Sequence, residues 1–250
     1  MTTGDTTTAD TADGADKKSG SAWSFAREVV IVVVCALVLS VVVRTIFVQA
    51  FYVPSASMEN TLQIDDRILA SKITTSISGV KRGEIIVFKD PGGWLPKSKS
   101  DVGPVSQVLE FIGLLPSSAG DDLVKRAIAL GGDRIICCDA NGQIVLNGVA
   151  LNEPYIKRRG GTDQVAFDVV VPQDSVFVMG DNRGASADSR YHLQQNDGGI
   201  PLGNVVGRVV LKVWPLDQFG VESIPDVPFG NPALSEQGVV SAPQVVVPGR

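Results

Sequence analysis

Residues 134–148 read RIICCDANGQIVLNG, and this stretch indicates how the chain folds. It holds two short apolar runs, Arg134–Cys138 and Gln143–Leu146, each followed by an Asn-Gly pair, at 141–142 and at 147–148. Asn-Gly pairs are typical of tight hairpin turns, because both residues accept the positive φ angles that such turns require. The stretch therefore predicts short antiparallel strands joined by tight turns.

The same pattern continues on both sides of this stretch. Short runs rich in Val and Ile, bounded by Gly, Pro, Asn or Asp, are typical of strands. These runs are Arg67–Ile73, Glu84–Lys89, Leu123–Leu130, Val165–Val171, Ser175–Met179 and Val205–Val213. The sequence therefore predicts a mainly β fold.

The segment from Pro91 to Asp122 breaks this pattern. It combines Gly, Pro and Ser residues with an apolar stretch at Val105–Leu115. A loop of this length is uncommon without a function. The sequence leaves open whether the segment packs as a short helix, touches a bilayer or is mobile.

An uncharged block rich in Val and Leu runs from Val29 to Val43 and resumes after Arg44 as far as Val48. Counted to Val48, the block reaches the roughly 20 residues that a spanning helix needs. A retained anchor, a buried core helix and a cleaved secretory signal are the three interpretations. A cleaved signal would end in an Ala-x-Ala-like site, which Val48-Gln49-Ala50 fits poorly. We therefore predict a retained transmembrane anchor over residues 23–48.

The two ends of the chain lack the apolar periodicity of a folded segment. Residues 1–22 are predicted to be a disordered tail, because they hold too few apolar residues to form a core. The tail is predicted to be cytoplasmic, because the basic residues Lys17, Lys18 and Arg27 precede the apolar block and basic residues favour the cytoplasmic side. Residues 217–250 are predicted to be a C-terminal tail that lies against or beyond the domain. The chain is thus expected to be a single-pass protein of the cell membrane, with residues 49–216 as an extracytoplasmic domain.

Composition excludes several classes of partner and site. The net charge of -5 argues against a nucleic-acid partner, which calls for a basic face. The single His cannot support a zinc pattern. Cys137 and Cys138 are adjacent in a predicted strand, so their side chains are expected on opposite faces, which disfavours a mutual disulfide and a shared metal. The sequence therefore predicts neither a metal nor a cofactor.

Three polar motifs carry the candidate chemistry. Residues 54–62, PSASMENTL, follow the anchor and contain Ser55 and Ser57. Lys125 lies inside an otherwise apolar strand, and residues 180–190 read GDNRGASADSR. Each motif alone also fits a structural explanation: loop serines, an edge-strand lysine that blocks aggregation, and a salt-bridged loop.

Together and in this order, the motifs resemble those of bacterial type I signal peptidase, over roughly Arg44 to Pro215. The matching segments are Pro54–Met58, Asp66–Ile68, Arg82–Phe88, Lys125-Arg126 with Gly132-Asp133, Asn147-Gly148 with Glu153–Tyr155, and Gly180–Arg183. The resemblance implies an antiparallel-sheet catalytic domain with a smaller inserted β subdomain at about 133–174. It also implies a membrane-bound endopeptidase that removes signal peptides with small residues before the cut from exported preproteins, at the surface of the lipid bilayer.

Carried over by position, the resemblance assigns a role to each candidate residue. Ser57 would be the nucleophile and Lys125 the general base that takes its proton. The Ser55 hydroxyl and the Ser57 backbone N–H would form the oxyanion hole, and Ser186 would orient the Lys125 amine by a hydrogen bond. Four residues would form ion pairs that shape the site: Asp181, Arg126, Asp188 and Arg190.

The chemistry requires an unusual lysine. An amine accepts a proton only when neutral, and a free lysine has a pKa near 10.4, so work near neutrality needs a depression of about three pH units, or roughly 4 kcal/mol. Desolvation can supply this, and apolar residues flank Lys125 at Val124 and Ala127–Ala129. Arg126 is expected on the opposite strand face, where it could pair with Asp181 and leave Lys125 without a counter-ion.

The sequence departs from the family pattern at three places. Asn60 stands where Pro is usual, Asp65 where Gly normally precedes an Asp, and Gly184-Ala185 where polar residues are frequent. None of the proposed reacting groups is altered. Asp tolerates a left-handed backbone better than most residues, so the turn at Asp65 is expected to survive.

Three other interpretations compete with a Ser–Lys signal peptidase. A Ser–His–Asp triad would have to use His192, the only histidine. An autocleaving Ser–Lys protein of the repressor type is opposed by the anchor, because such proteins are soluble and linked to DNA binding. A non-catalytic, membrane-tethered β domain that binds an envelope partner is opposed by the set of Ser57, Lys125 and Ser186.

Overall fold

The computed structural model describes residues 19–95, 122–157 and 165–235. It begins with helix α1, Ser19–Ile46. Within the described part of the chain, Trp23–Val41 is the one helical segment long and apolar enough to cross a membrane, and none of it is buried. A core helix would bury these side chains, so that interpretation does not fit, whereas a membrane anchor does.

After α1 the described chain forms two antiparallel sheets. The larger sheet has the order β1-β2-β11-β3-β4-β9-β10, with β12 beside β11, and the smaller has the order β7-β6-β5-β8. The larger sheet contains β1 Val48–Tyr52, β2 Arg67–Ser71, β3 Ile85–Lys89, β4 Asp122–Leu130, β9 Ser175–Met179, β10 Gly199–Pro201, β11 Val205–Trp214 and β12 Gly220–Val221. The smaller contains β5 Arg134–Cys137, β6 Ile144–Leu146, β7 Val149–Ala150 and β8 Phe167–Val170. The predicted mainly β fold with a smaller inserted sheet is confirmed.

Each predicted strand is present, but several were predicted too long, and one of these continues as a helix. The run Arg67–Ile73 forms strand β2 only as far as Ser71, and helix α2, Lys72–Ser78, follows it. Ser71 is the last residue of β2 with a partner on either side, Val48 in β1 and Arg208 in β11. Strand β1 begins at Val48, so the chain beyond Ser71 has no strand partner on that side, and the Thr-rich segment continues as a helix.

The central strands are buried on both faces. Ile85 and Val87 of β3 pack in one apolar cluster with Met58 and Leu62. Ile86, the residue between them, packs on the other face with apolar residues of β4, β9 and β10. This arrangement holds the chain around Met58 firmly against the sheet, next to the polar residues considered below.

The C-terminal segment described by the structure packs on the domain. After β12 come two short helices, α3 at Asp226–Phe229 and α4 at Pro232–Ser235. Leu234 is buried in the apolar cluster that also joins the inserted sheet to the larger one, and Arg82 donates a hydrogen bond to its carbonyl. The described part of the predicted tail therefore lies against the domain.

Cys137 and Cys138 form a disulfide across a cis peptide bond, with their Cα atoms 3.0 Å apart. The expectation that they face opposite ways was wrong. Strand β5 ends at Cys137, so the alternation that governs side chains within a strand does not extend to Cys138. The predicted apolar stretch Val105–Leu115 lies outside the described residues.

Candidate active site

Ser57 lies in a tight 3-10 turn, Ala56–Met58, that follows β1. The backbone N–H of Leu62 donates to the Met58 carbonyl at 2.8 Å, and both of these side chains are fully buried. The apolar residues on the C-terminal side of the serine therefore anchor the turn. Ser57 itself is 5% exposed.

Lys125 lies on β4, opposite Ile86 of β3, and is 3% exposed. Its Nζ is hydrogen-bonded to Ser57 Oγ at 2.6 Å and donates to the Val124 carbonyl at 3.1 Å. The structure therefore brings together the serine and the lysine that the sequence resemblance paired.

The environment of Lys125 favours a neutral amine. Burial lowers the pKa of Lys125 to about 8, and the charges of Asp188 and Asp181 offset part of the effect of burial. A neutral amine within hydrogen-bond distance of a serine hydroxyl can accept its proton. The pair therefore has both the geometry and the protonation state that proton transfer requires in mildly alkaline conditions.

Ser55 lies beside this pair. Its backbone is extended, and its Oγ is 3.2 Å from Ser57 Oγ. A hydroxyl at that distance can reach a group bonded to the neighbouring serine oxygen. The position is thus compatible with the oxyanion-hole role that the resemblance implies.

Arg126 points to the opposite side of β4 from Lys125. Its guanidinium donates two hydrogen bonds to the Asp181 carboxylate, at 2.8 and 2.6 Å, and a third to the Gly83 carbonyl at 2.7 Å. Arg126 is 1% exposed and Asp181 is fully buried. The Arg126 guanidinium thus neutralises the Asp181 carboxylate, which limits the effect of this carboxylate on the pKa of Lys125.

The Gly180–Arg190 segment passes close behind the serine turn. A side chain at Gly180 would collide with the Ser57 carbonyl, so only glycine permits this approach. Asp188 accepts hydrogen bonds from the Gly180 N–H at 3.0 Å and from Arg190 at 2.8 Å. Burial acts to raise the pKa of Asp188, but these hydrogen bonds outweigh it and the pKa is lowered. The Asp188–Arg190 ion pair thus holds the segment against the serine turn.

Ser186 is buried near Gly180 but does not hydrogen-bond to Lys125. The hydrogen bonds of Lys125 Nζ go to Ser57 and Val124. Ser186 Oγ has no partner with normal hydrogen-bond geometry, although it lies close enough to Asp188 to help lower the pKa of that carboxyl. A serine side chain has three staggered rotamers, so the hydroxyl can point in directions other than the present one. The orienting role of Ser186 stays a prediction.

His192 lies in a different environment from the one that a triad needs. Its ring stacks on Trp94 with centroids 4.2 Å apart, and its Nε2 is buried without a hydrogen-bond partner. Burial lowers its pKa. Among the hydrogen bonds of the described residues, Ser57 Oγ is bonded to Lys125 and to Ser55 and not to this histidine.

Three further residues, Arg183, Glu153 and Asn182, were not assigned a role from the sequence. Arg183 donates two hydrogen bonds to the Glu153 carboxylate, at 3.0 and 2.6 Å, and both residues are buried. Asn182 contacts the serine turn directly. The sequence could have indicated the Arg183–Glu153 ion pair, because the two family motifs at 153–155 and 180–183 carry opposite charges.

Two of the departures from the family pattern occupy left-handed turns. Asp65 has φ +73°, so the expected turn is present. Asn60 has φ +96°, a conformation that proline cannot adopt because its ring fixes φ near −65°. The Asn60 side chain donates to the Tyr155 carbonyl at 2.7 Å, which ties the turn to the inserted subdomain.

Comparisons with known proteins match this chain to one family. The family model described as "Signal peptidase, peptidase S26" matches residues 26–214. A probable signal peptidase I of Mycobacterium leprae (strain TN) is 35% identical over 237 residues, covering 82% of this chain and 80% of that protein. Signal peptidase I of Mycobacterium tuberculosis (strain ATCC 25618 / H37Rv) is 36% identical over 221 residues, covering 78% of this chain and 74% of that protein.

Among solved structures, a signal peptidase I from Enterococcus faecalis V583 matches with 24% identity and a TM-score of 0.34, over 52% of this chain and 95% of that one. The family model and the two relatives each match along most of this chain. This chain therefore belongs to the signal peptidase S26 family and is a serine endopeptidase.

Proposed function

We propose that the chain removes N-terminal signal peptides from exported preproteins, with Ser57 as nucleophile and neutral Lys125 as general base. The observation that carries the proposal is the buried pair, with Nζ and Oγ 2.6 Å apart and the lysine pKa lowered to about 8. The substrate class is supported by the relatives, which are named signal peptidase I or probable signal peptidase I.

The reaction follows from the positions of these groups. Lys125 takes the Ser57 proton as the serine oxygen attacks the scissile carbonyl, and the ammonium then gives that proton to the leaving amine. The Ser55 hydroxyl and the Ser57 N–H stabilise the oxyanion. Lys125, neutral again, activates the water that hydrolyses the acyl-enzyme.

The membrane topology belongs to the same proposal. Helix α1 anchors the chain in the lipid bilayer, and the basic residues Lys17, Lys18 and Arg27 keep the N-terminus in the cytoplasm. Residues 49–216 then form the extracytoplasmic peptidase domain, with the inserted subdomain at about 133–174. The anchor holds this domain at the surface where preproteins emerge, so it raises the local concentration of enzyme and substrate.

A preprotein cleavage assay tests this function. The full chain, purified in detergent, is expected to cut a preprotein directly after an Ala-x-Ala sequence, and to fail on the same preprotein with Phe in place of the last Ala. The His192→Phe variant keeps a ring against Trp94 and is expected to cut at the rate of the unchanged protein, because Lys125 supplies the base.

The cut site is read by mass spectrometry of both fragments. Absence of any cleavage under conditions where the domain is folded would favour a non-catalytic, membrane-tethered domain instead. If the unchanged protein cleaves and the folded His192→Phe variant does not, a histidine base would be favoured.

A further inference from the structure

Asn182 holds the turn that carries Ser57. Its backbone N–H donates to the Ser57 carbonyl at 3.0 Å, and its side-chain Nδ2 donates to the Ala56 carbonyl at 2.9 Å. Asn182 is fully buried. One residue thus fixes the two carbonyl groups that flank the proposed nucleophile, although it lies 126 positions away from Ala56 in the sequence.

The bond to Ala56 bears directly on the proposed oxyanion hole. The Ala56 carbonyl and the Ser57 N–H belong to the same peptide group, which is planar, so holding the carbonyl fixes the direction of the N–H. A hydrogen bond accepted by the carbonyl also polarises the peptide and strengthens its N–H as a donor. Asn182 is therefore placed to orient and to strengthen one oxyanion donor without touching the substrate.

A charged pair holds the Asn182 amide in this orientation. Its Nδ2 also lies 3.1 Å from Glu59 Oε2, and Lys157 Nζ donates to the same oxygen at 2.7 Å. Turning the amide over would set its oxygen against two acceptors, the Ala56 carbonyl and the Glu59 carboxylate. Lys157 lies between strands β7 and β8 of the inserted subdomain, and its backbone N–H donates to the Asp181 carbonyl at 2.8 Å. The contact therefore links the inserted subdomain to the serine turn.

We propose that Asn182 is a positioning residue for the oxyanion hole, and that the Glu59–Lys157 pair keeps its side-chain amide in place. The inference rests on the proposed function, since it gives Ser57 and its N–H their roles. It adds a link through which the inserted subdomain sets the rate of the reaction.

The first test is Asn182→Ala, which removes Nδ2 and leaves the backbone contact to Ser57. Because an oxyanion forms only in the transition state, kcat for preprotein cleavage is expected to fall by about 10- to 100-fold with KM changed by less than about threefold. Rates are normalised to the folded fraction measured by circular dichroism, since damage that is only structural lowers that fraction and not kcat per folded molecule.

The second test uses the exposed end of the link. Lys157 is 40% exposed, so Lys157→Met is expected to fold, to lower kcat by about two- to fivefold, and to be rescued by Lys157→Arg. Arg134→Met is the matched control, because Arg134 is a cation of similar exposure that pairs with Asp168 in the inserted sheet, and its loss is expected to leave kcat unchanged. In the double variant, Lys157→Met is expected to cost nothing beyond Asn182→Ala, because both act through one amide.

The proposal is overturned if Asn182→Ala keeps kcat within about twofold of the unchanged protein, or if the two losses multiply in the double variant. If Asn182→Ala does not fold, Lys157→Met decides, and a kcat equal to that of Arg134→Met overturns the proposal. Failure of the proposed function looks different, because Ser57→Ala would then cleave at the unchanged rate.

Discussion

Replacing Lys125 by Met is expected to lower kcat/KM for preprotein cleavage by at least about 10,000-fold, and Ser57→Ala is expected to do the same. The methionine side chain has a similar length but cannot accept a proton, so the serine hydroxyl stays a weak nucleophile. Because the two groups act as one unit, the double variant is expected to be no less active than either single variant. The measurement is single-turnover cleavage followed by quantitative mass spectrometry.

A stability control separates lost chemistry from lost structure. The unfolded chain protonates this lysine below its ordinary pKa of 10.5, whereas the folded chain does so only below about 8. Burial of the amine therefore destabilises the folded state fully below about pH 8, and the cost disappears as the pH rises from about 8 to 10.5. Lys125→Met is thus expected to raise the free energy of unfolding at neutral pH, by up to about 3 kcal/mol. A variant that is inactive because it is unfolded would show the opposite sign, and an active Lys125→Met variant would remove lysine from the mechanism.

Ser55→Ala is expected to lower kcat by about 100- to 1,000-fold, the usual cost of losing one oxyanion donor. The hydroxyl lies 3.2 Å from Ser57 Oγ, which would bond to the carbonyl carbon whose oxygen takes up the negative charge. KM is expected to change little, because the charge exists only in the transition state. Steady-state kinetics on a peptide that contains the Ala-x-Ala sequence provides both constants.

Ser55→Thr and Ser78→Ala are the controls for this variant. Threonine keeps the hydroxyl and is expected to restore most of the rate, while Ser78 is an exposed serine at the end of helix α2 and its loss is expected to have no effect. A Ser55→Ala protein with unchanged kcat would mean that the oxyanion is stabilised by other donors.

Local pattern was enough to predict most of the sheet. Runs of Val and Ile with turn residues between them identified strands such as β4 and β9, because strands of this type need little more than a buried, pleated surface. Four of the described strands were not predicted: β1, β7, β10 and β12. Strands β7 and β12 have only two residues each and exist only through their partners. The course of the chain after Ser71 likewise depends on where the neighbouring strand β1 begins, which no local pattern encodes.

The candidate site divides in a similar way. Strand alternation predicted that Arg126 and Lys125 face opposite sides, and the apolar neighbours of Lys125 indicated a desolvated amine. The pairing of Lys125 with Ser57 came from the family resemblance, because 68 positions separate the two residues in the sequence. The Asn182 contact depends on the close approach at Gly180, and the Cys137–Cys138 disulfide depends on the end of β5, so both required the folded chain.

The most direct test is a titration of the Lys125 amine itself. The full chain in detergent micelles, labelled with carbon-13 at lysine Cε, gives a signal for this residue that is identified by its absence from Lys125→Met. The midpoint of its chemical-shift change with pH is predicted at about 8. A midpoint near the ordinary lysine value of 10.5 would mean that the amine is charged when the enzyme works, and would contradict its role as the base.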